Sequence, residues 1–122
     1  MSVDRAGVLG RRRSEQAELL ERARTFAGVL DATLEVQAVV VFGSVARGDF
    51  NVWSDIDVLV VAANLPDRWL DRIDALGHVP ARVQPMAWTP DEWQHQRRRR
   101  NPIATEAVEH GRWLIGSPAV LP

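Results

Sequence analysis

The chain has 122 residues, of which 46% are hydrophobic and 25% charged, and its formal net charge is −1. This length favours one domain and excludes two, and the near-zero charge excludes a global field that attracts nucleic acid or anionic lipid. The chain has no cysteine and all fifteen of its Lys/Arg positions are arginine. Disulfides, thiol nucleophiles, cysteine-ligated zinc and a P-loop lysine are therefore excluded as well.

The N-terminal region is predicted to consist of an arm and a helix. Residues 1–13 are rich in glycine and arginine without periodicity, and we expect a flexible arm, or a short helix that docks only in a complex. Arg11–Arg13 in this arm either contact phosphates or are solvated. A helix is predicted to begin at Ser14, which can act as its N-cap. Its apolar face is formed by Leu19, Leu20, Ala23, Phe26, Ala27 and Leu30.

Two buried strands are predicted in the middle of the chain. Val39–Phe42 and Val58–Val61 are β-branched apolar runs bounded by turn residues, which is typical of strands inside a core. The first strand is predicted to span Leu34–Phe42. The first run stops at Gly43, and a short helix with Ser44 as its N-cap is expected to follow. Between that helix and the second strand, Phe50 and Trp53 either pack under the loop or stack on a nucleobase.

Asp55 and Asp57 precede the second apolar run and lie two residues apart. On a strand this spacing directs both carboxylates to one face. Like charges this close repel unless a cation lies between them, and oxygen ligands suit Mg²⁺. The helix N-terminus at Gly43–Ser44 suits a phosphate. Together these features indicate phosphoryl or nucleotidyl transfer, although an ordinary turn beside a solvated strand start is an equal alternative.

The segment from residue 66 to residue 88 is predicted to form a helix and a third strand. Pro66–Gly77 has proline at its start and glycine at its end, as helices often do. Its inward residues are expected to be Trp69, Leu70, Ile73 and Leu76. Val79–Trp88 is expected to be the third strand. Its Pro80 and Pro85 indicate an edge strand, a strand end or a bulge.

The last part of the chain begins with a strong helix start, in which Thr89 is the N-cap and Pro90 the first helical residue. Arg97–Arg100 lie near the end of this helix, where they are solvated and complement the helix dipole, or bind phosphates or an acidic partner. A segment restarted by Pro102 and a short final strand, Arg112–Ile115, complete the predicted order. We therefore expect a mixed α/β fold with a small sheet of three or four strands flanked by helices.

Gly43-Ser44, ten residues and then Asp55-Ile56-Asp57 form a pattern that resembles the signature of the minimal nucleotidyltransferase family, in the DNA polymerase beta-like superfamily. Ala46–Gly48 also matches, and weaker similarity covers residues 34–115. The resemblance implies the nucleotidyltransferase fold over residues 14–116, with 117–122 as a tail. It further implies that Asp55 and Asp57 bind Mg²⁺ and act in catalysis, and that Gly43 and Ser44 hold the phosphates of ATP. Arg47 either contacts the triphosphate or pairs with Asp49.

The resemblance also implies an activity and a partner. Members of the family transfer AMP to an acceptor hydroxyl, and often act as the antitoxin beside a HEPN-type toxin. A domain of this size has no obvious second lobe to enclose an acceptor. We therefore expect the acceptor to lie on another protein. Transfer to a small molecule, as in antibiotic-modifying relatives, is a third reading. With no apolar stretch of membrane-spanning length, we expect a cytoplasmic protein.

One expected residue is missing. Catalysing members of the superfamily carry a third acid on the next strand as general base, and the pattern places that position at or near Gln84. Glutamine cannot accept a proton at neutral pH. Asp91 and Glu92 are close in sequence but are predicted to lie in a helix's first turn. Both a slow or partner-assisted enzyme and a nucleotide-binding antitoxin that acts by occlusion fit this substitution.

Overall fold

The computed structural model describes residues 5–30 and 34–119, and these ranges contain five helices and four strands. In chain order the elements are α1 (Arg5–Leu30), β1 (Val36–Phe42), α2 (Ser44–Arg47), β2 (Ile56–Ala62), α3 (Trp69–Ala75), β3 (Val83–Trp88), α4 (Pro90–Arg98), α5 (Pro102–His110) and β4 (Arg112–Ile115). None of the helices in these ranges has the length and apolarity needed to cross a membrane.

The four strands form one mixed sheet in the order β3-β2-β1-β4. β1 is antiparallel to both β2 and β4, whereas β3 is parallel to β2. The expected mixed sheet flanked by helices is therefore confirmed. β3 lies at an edge of the sheet, which is one of the alternatives that its prolines indicated. Pro85 fits there because proline cannot donate a ladder hydrogen bond to a second neighbour.

Both faces of the sheet are covered, which explains why β1 and β2 are apolar without a break. On one face α1 packs Phe26 and Leu30 against alternate strand residues such as Val39 and Val58. On the other face α4 and α5 supply Trp93, Ala104 and Ala107, packed against Val40, Leu59 and Val61. Asp57 alternates with Ile56 and Val58 along β2, so it faces the side of the sheet that carries α4 and α5.

The start of the first helix differs from the expectation. α1 begins at Arg5 and passes Ser14 without a break, so a helix start at Ser14 is wrong. The added turns are held by Arg12, whose guanidinium donates to the carbonyls of Gly48 and Phe50 at 3.0 and 2.6 Å. Residues 1–4 of the predicted arm and residues 120–122 of the predicted tail lie outside the described ranges. The domain limits at 14 and 116 stay predictions.

Two further local expectations are corrected and two are confirmed. α3 is shorter than Pro66–Gly77, and Trp69 and Leu70 are 61% and 62% exposed rather than inward. Trp69 and Leu70 open the helix. The inward position of Leu76 is confirmed, because it is 2% exposed, and the buried residue that the pattern missed is Arg72. The capping box at Thr89 is present, because its hydroxyl accepts from Glu92 N–H and Glu92 accepts from Thr89 N–H.

Candidate functional site

The glycine that ends β1 lies directly against an acidic side chain of β2. Phe42 pairs with Asp57 in the antiparallel register, so the next residue, Gly43, lies beside that carboxylate. A Cβ atom at Gly43 would be 2.5 Å from Asp57 Oδ2. Gly43 also has φ 76° and ψ −155°, a conformation that side chains disfavour. Only glycine therefore lets the Asp57 carboxylate approach this corner.

The helix at this corner is a single turn. Its N-cap is Gly43, and Ser44 is its first helical residue, so the expectation that Ser44 is the N-cap is wrong. The reason is local: Gly43 has the non-helical conformation, and its carbonyl accepts the first helical hydrogen bond, from Arg47 N–H at 3.1 Å. The backbone N–H groups that open the turn have no acceptor within the helix itself.

Asp55 and Asp57 are close enough to repel each other. Burial raises the pKa of the Asp57 carboxyl, the negative charge of Asp55 raises it further, and the positive charge of Arg47 lowers it. Asp57 is half-buried, whereas Asp55 is exposed and precedes the first residue of β2. A cation bound by both carboxylates would relieve this repulsion.

The donor set fits a divalent cation that is shared with a substrate. Carboxylate oxygens are ligands that Mg²⁺ prefers, and Mg²⁺ usually binds through one or two carboxylates together with substrate phosphates. Within residues 5–30 and 34–119, no group of three or more His, Cys, Asp or Glu side chains could hold a metal. The protein would therefore supply Asp55 and Asp57, and phosphate or water oxygens would complete the coordination.

Arg47 is held by two acids. Its Nε donates to Asp49 Oδ2 at 3.2 Å, and its Nη1 forms an ion pair with Glu106 of α5. The hydrogen bond to Glu106, followed by that to Asp49, raises the pKa of Arg47. The expected pairing with Asp49 is confirmed. Sequence reasoning missed Glu106, which is 59 positions away and carries no local signal. Contact of Arg47 with a triphosphate stays a prediction.

Gln84 occupies the position beside the carboxylate pair. It is the register partner of Asp57 across the parallel β2–β3 ladder, and its side chain is exposed. Asp91 and Glu92 lie in the first turn of α4, as predicted. Glu92 also accepts from the buried guanidinium of Arg72 at 2.7 Å. The Glu92 carboxylate therefore binds the helix cap and Arg72, and it does not replace the missing acid.

The two aromatic residues of the α2–β2 loop have opposite environments. Phe50 is 4% exposed, and the Arg12 guanidinium carbon lies over its ring, 4.7 Å from the ring centroid. Packing under the loop is therefore confirmed for Phe50. Trp53 is 88% exposed, so packing is wrong for Trp53. Its backbone N–H donates to Asn51 Oδ1 at 2.8 Å, and this turn leaves the indole ring in solvent.

A second arginine near the site was also missed. Arg82, which precedes β3, donates from Nη2 and Nε to the Ser54 carbonyl at 2.7 and 3.2 Å. Its own carbonyl accepts from Ile56 N–H at 2.7 Å. These bonds fall on both sides of Asp55. Nothing in the local sequence marks Arg82, because the contact joins residues 28 positions apart.

Known proteins include some that are similar to this chain in sequence. Residues 20–113 match the nucleotidyltransferase domain family. A "putative protein adenylyltransferase" of Methanocaldococcus jannaschii is 51% identical over 35 residues, which is 29% of this chain and 24% of that protein. The chain thus matches about a quarter of the length of that relative.

Two solved structures are similar in shape. A "putative nucleotidyltransferase" from Sulfolobus solfataricus has a TM-score of 0.63 and 21% identity, with 84% of each chain covered. At this identity the likeness establishes the fold. A toxin-antitoxin with AMP-PNP has a TM-score of 0.49 and 21% identity over 80% of this chain and 75% of its own, a likeness too weak to bear on function.

Proposed function

Because the chain belongs to the nucleotidyltransferase domain family, we propose that it transfers AMP from ATP to a hydroxyl group on a partner protein. The family match contains Gly43, Ser44, Asp55 and Asp57. The name of the relative from Methanocaldococcus jannaschii supports adenylyl transfer to a protein. The resemblance to minimal nucleotidyltransferases supports a HEPN-type toxin as that protein.

The observation that carries this proposal is the close approach of Gly43 to Asp57. A Cβ at position 43 would lie 2.5 Å from Asp57 Oδ2, so the backbone corner proposed for the phosphates and the carboxylate proposed for the metal share one site. In that site Gly43 and the Ser44 backbone and hydroxyl bind the β- and γ-phosphates. Asp55 and Asp57 would hold Mg²⁺, which would supply positive charge to stabilise the transferring nucleotidyl group and the leaving pyrophosphate.

In the reaction, the acceptor oxygen forms a bond to the α-phosphorus, and the bond from that phosphorus to the bridging oxygen of the β-phosphate breaks. Pyrophosphate leaves, and the acceptor hydroxyl loses its proton. Gln84 cannot take that proton, so the proton passes to water or to a base on the partner. Asp55 is exposed, and so is Trp53 two residues before it, which leaves this segment accessible to a macromolecule.

The test is incubation of the protein with Mg²⁺, a candidate HEPN-type partner and ATP labelled either at the α- or at the γ-phosphate. Nucleotidyl transfer attaches the α-label and releases the γ-label with pyrophosphate. We expect the partner to acquire the α-label alone, and Asp55→Asn and Asp57→Asn to lower the rate at least about 100-fold, since metal ligands are lost.

Asp74→Asn is the matched control, because Asp74 is an exposed aspartate on α3 and its loss should leave the rate unchanged. Transfer of the γ-label would show phosphoryl transfer instead. Labelling that is equal in wild type and Asp55→Asn would remove the carboxylate pair from the mechanism.

A second candidate function is neutralisation of the partner by binding alone. The register of Gln84 with Asp57 favours it, because the position expected to hold the general base holds a neutral amide. This function predicts a stable complex whose dissociation constant is the same for wild type and Asp55→Asn, without label on the partner. Label transfer that depends on Asp55 would exclude binding as the whole function.

A further inference from the structure

Arg82 adopts a backbone conformation that arginine ordinarily avoids. Its φ is +70°, and among the described residues only Arg100 shares a positive φ without being glycine. Such a conformation is unfavourable for a residue with a side chain, and persists where the surrounding structure determines it. Arg82 is the third residue of a turn that is closed by a hydrogen bond from Val83 N–H to the Pro80 carbonyl at 3.2 Å, a position where type II turns have a positive φ.

Those contacts enclose the backbone of Asp55. The Arg82 guanidinium donates two hydrogen bonds to the carbonyl of Ser54, and the Arg82 carbonyl accepts from the N–H of Ile56. One residue thus binds the peptide group on each side of Asp55. The Arg82 carbonyl and side chain thus reach the same neighbouring segment, residues 54–56.

The side chain of Arg82 is bonded to a backbone carbonyl, that of Ser54. It forms no ion pair within the part of the chain that the structure describes. It lines a cavity of about 400 Å³ between α1 and the loop before β2. Arg22 lines the same cavity and binds a different carbonyl, that of Ala81, at 3.3 Å. Arg82 is the one of these two whose bonds reach Ser54.

Asp55 needs such support because it lies outside β2 and is exposed. The peptide group after Asp55 is held by the first ladder bond of β2, from Ile56 N–H to the Arg82 carbonyl, and the peptide group before it is held by the Arg82 guanidinium. Without the second contact, Asp55 would keep more of its backbone conformational freedom. We propose that Arg82 is a positioning residue that holds Asp55 so that its carboxylate and that of Asp57 converge on the divalent cation. This inference rests on the proposed function, which supplies the cation.

The test measures metal binding directly. Mn²⁺ is titrated into the protein in the presence of a non-hydrolysable ATP analogue and followed by electron paramagnetic resonance. We expect Arg82→Gly and Arg82→Asn to raise the Mn²⁺ dissociation constant about tenfold, as changes behind metal ligands do. Glycine and asparagine both accept a positive φ, so the melting temperature should not fall in step with metal affinity. Arg22→Ala is the control and should leave the dissociation constant unchanged.

The outcomes separate this inference from the function on which it rests. If wild type binds Mn²⁺ and Asp55→Asn does not, the proposed metal site stands. An unchanged dissociation constant in both Arg82 variants would then overturn the role of Arg82 alone. If wild type binds no Mn²⁺ with the analogue, or if Asp55→Asn binds as tightly as wild type, both the metal site and the role of Arg82 are overturned.

Discussion

Gln84 of β3 and Asp57 of β2 are direct neighbours across the parallel ladder, where adjacent strands lie about 4.8 Å apart. Paired residues in a ladder direct their side chains to the same face of the sheet. The amide of Gln84 is therefore the side chain that stands beside the carboxylate pair at the position expected to hold an acid.

Replacing this amide with a carboxylate should restore a general base. We expect Gln84→Glu to raise the rate of AMP transfer by about 10²-fold or more, measured as the initial rate of α-label transfer at saturating Mg²⁺. Gln84→Met is the control, because it removes the amide without adding a base. If the glutamate variant is no faster than the methionine variant, the base is supplied from elsewhere, and the partner becomes the place to look for it.

The raised pKa of Asp57 predicts how stability changes with pH. Burial and then Asp55 raise this pKa in the folded state, so in the window between the unfolded and the folded pKa the folded chain binds more protons. Stability contributed by this group therefore falls as pH rises through that window. We expect Asp57→Asn to melt above wild type at pH 8, and the difference to shrink towards pH 4. Melting curves across this range measure it.

Magnesium should offset the loss of stability caused by the ionised Asp57, and it should do so in wild type only. Adding Mg²⁺ with a non-hydrolysable ATP analogue at pH 8 should raise the melting temperature of wild type and leave that of Asp57→Asn nearly unchanged, because a ligand that binds only the folded state stabilises it. A wild type that melts above Asp57→Asn at pH 8 without metal would contradict the repulsion described for the pair.

The two aromatic residues of the α2–β2 loop predict opposite effects on stability. Phe50 is buried and Trp53 is exposed. We expect Phe50→Ala to cost about 3 to 5 kcal/mol in unfolding free energy, and Trp53→Ala to change it by less than about 0.5 kcal/mol. Urea denaturation of the two variants beside wild type is the measurement. A comparable loss in both would mean that Trp53 is packed in solution.

The pair formed by Arg72 and Glu92 connects α3 to the start of α4. Arg72 is 8% exposed, and it also donates to the carbonyls of Pro66 and Ala87. Burial raises the pKa of Glu92, but the hydrogen bonds from Thr89 and Arg72 outweigh it, so the pKa is lowered. Stability from this carboxylate is therefore present at neutral pH and lost as pH falls through the lowered pKa.

We expect Glu92→Ala to cost about 2 kcal/mol at pH 7, because it removes half of a capping box and leaves the Arg72 cation without its acid. Asp91→Ala is the matched control, since Asp91 is exposed in the same turn and should cost less than about 0.5 kcal/mol. Denaturation at pH 7 and pH 3 compares them. Equal losses for the two variants, or a Glu92→Ala loss that grows at pH 3, would contradict the assigned role.

Local sequence was enough to predict the elements that carry the site. The apolar runs of β1 and β2, the glycine between them and the Thr89-Pro90 helix start depend on contacts within a few residues, and period and capping rules read such contacts directly. The same rules did not locate the ends of helices where those ends depend on long-range contacts. α1 extends to Arg5 with support from the carbonyls of Gly48 and Phe50, which lie 36 and 38 positions beyond Arg12.

The sheet-forming runs, the two aspartates and the neutral residue in place of a third acid are all visible in the order of the amino acids. The groups that surround them became known from the folded chain: Glu106 pairs with Arg47, Arg82 binds on both sides of Asp55, and Trp53 is exposed in place of the expected packing. A residue's type limits the bonds it can make. Its partners across tens of positions are chosen by how the strands and helices pack, and no local pattern encodes that packing.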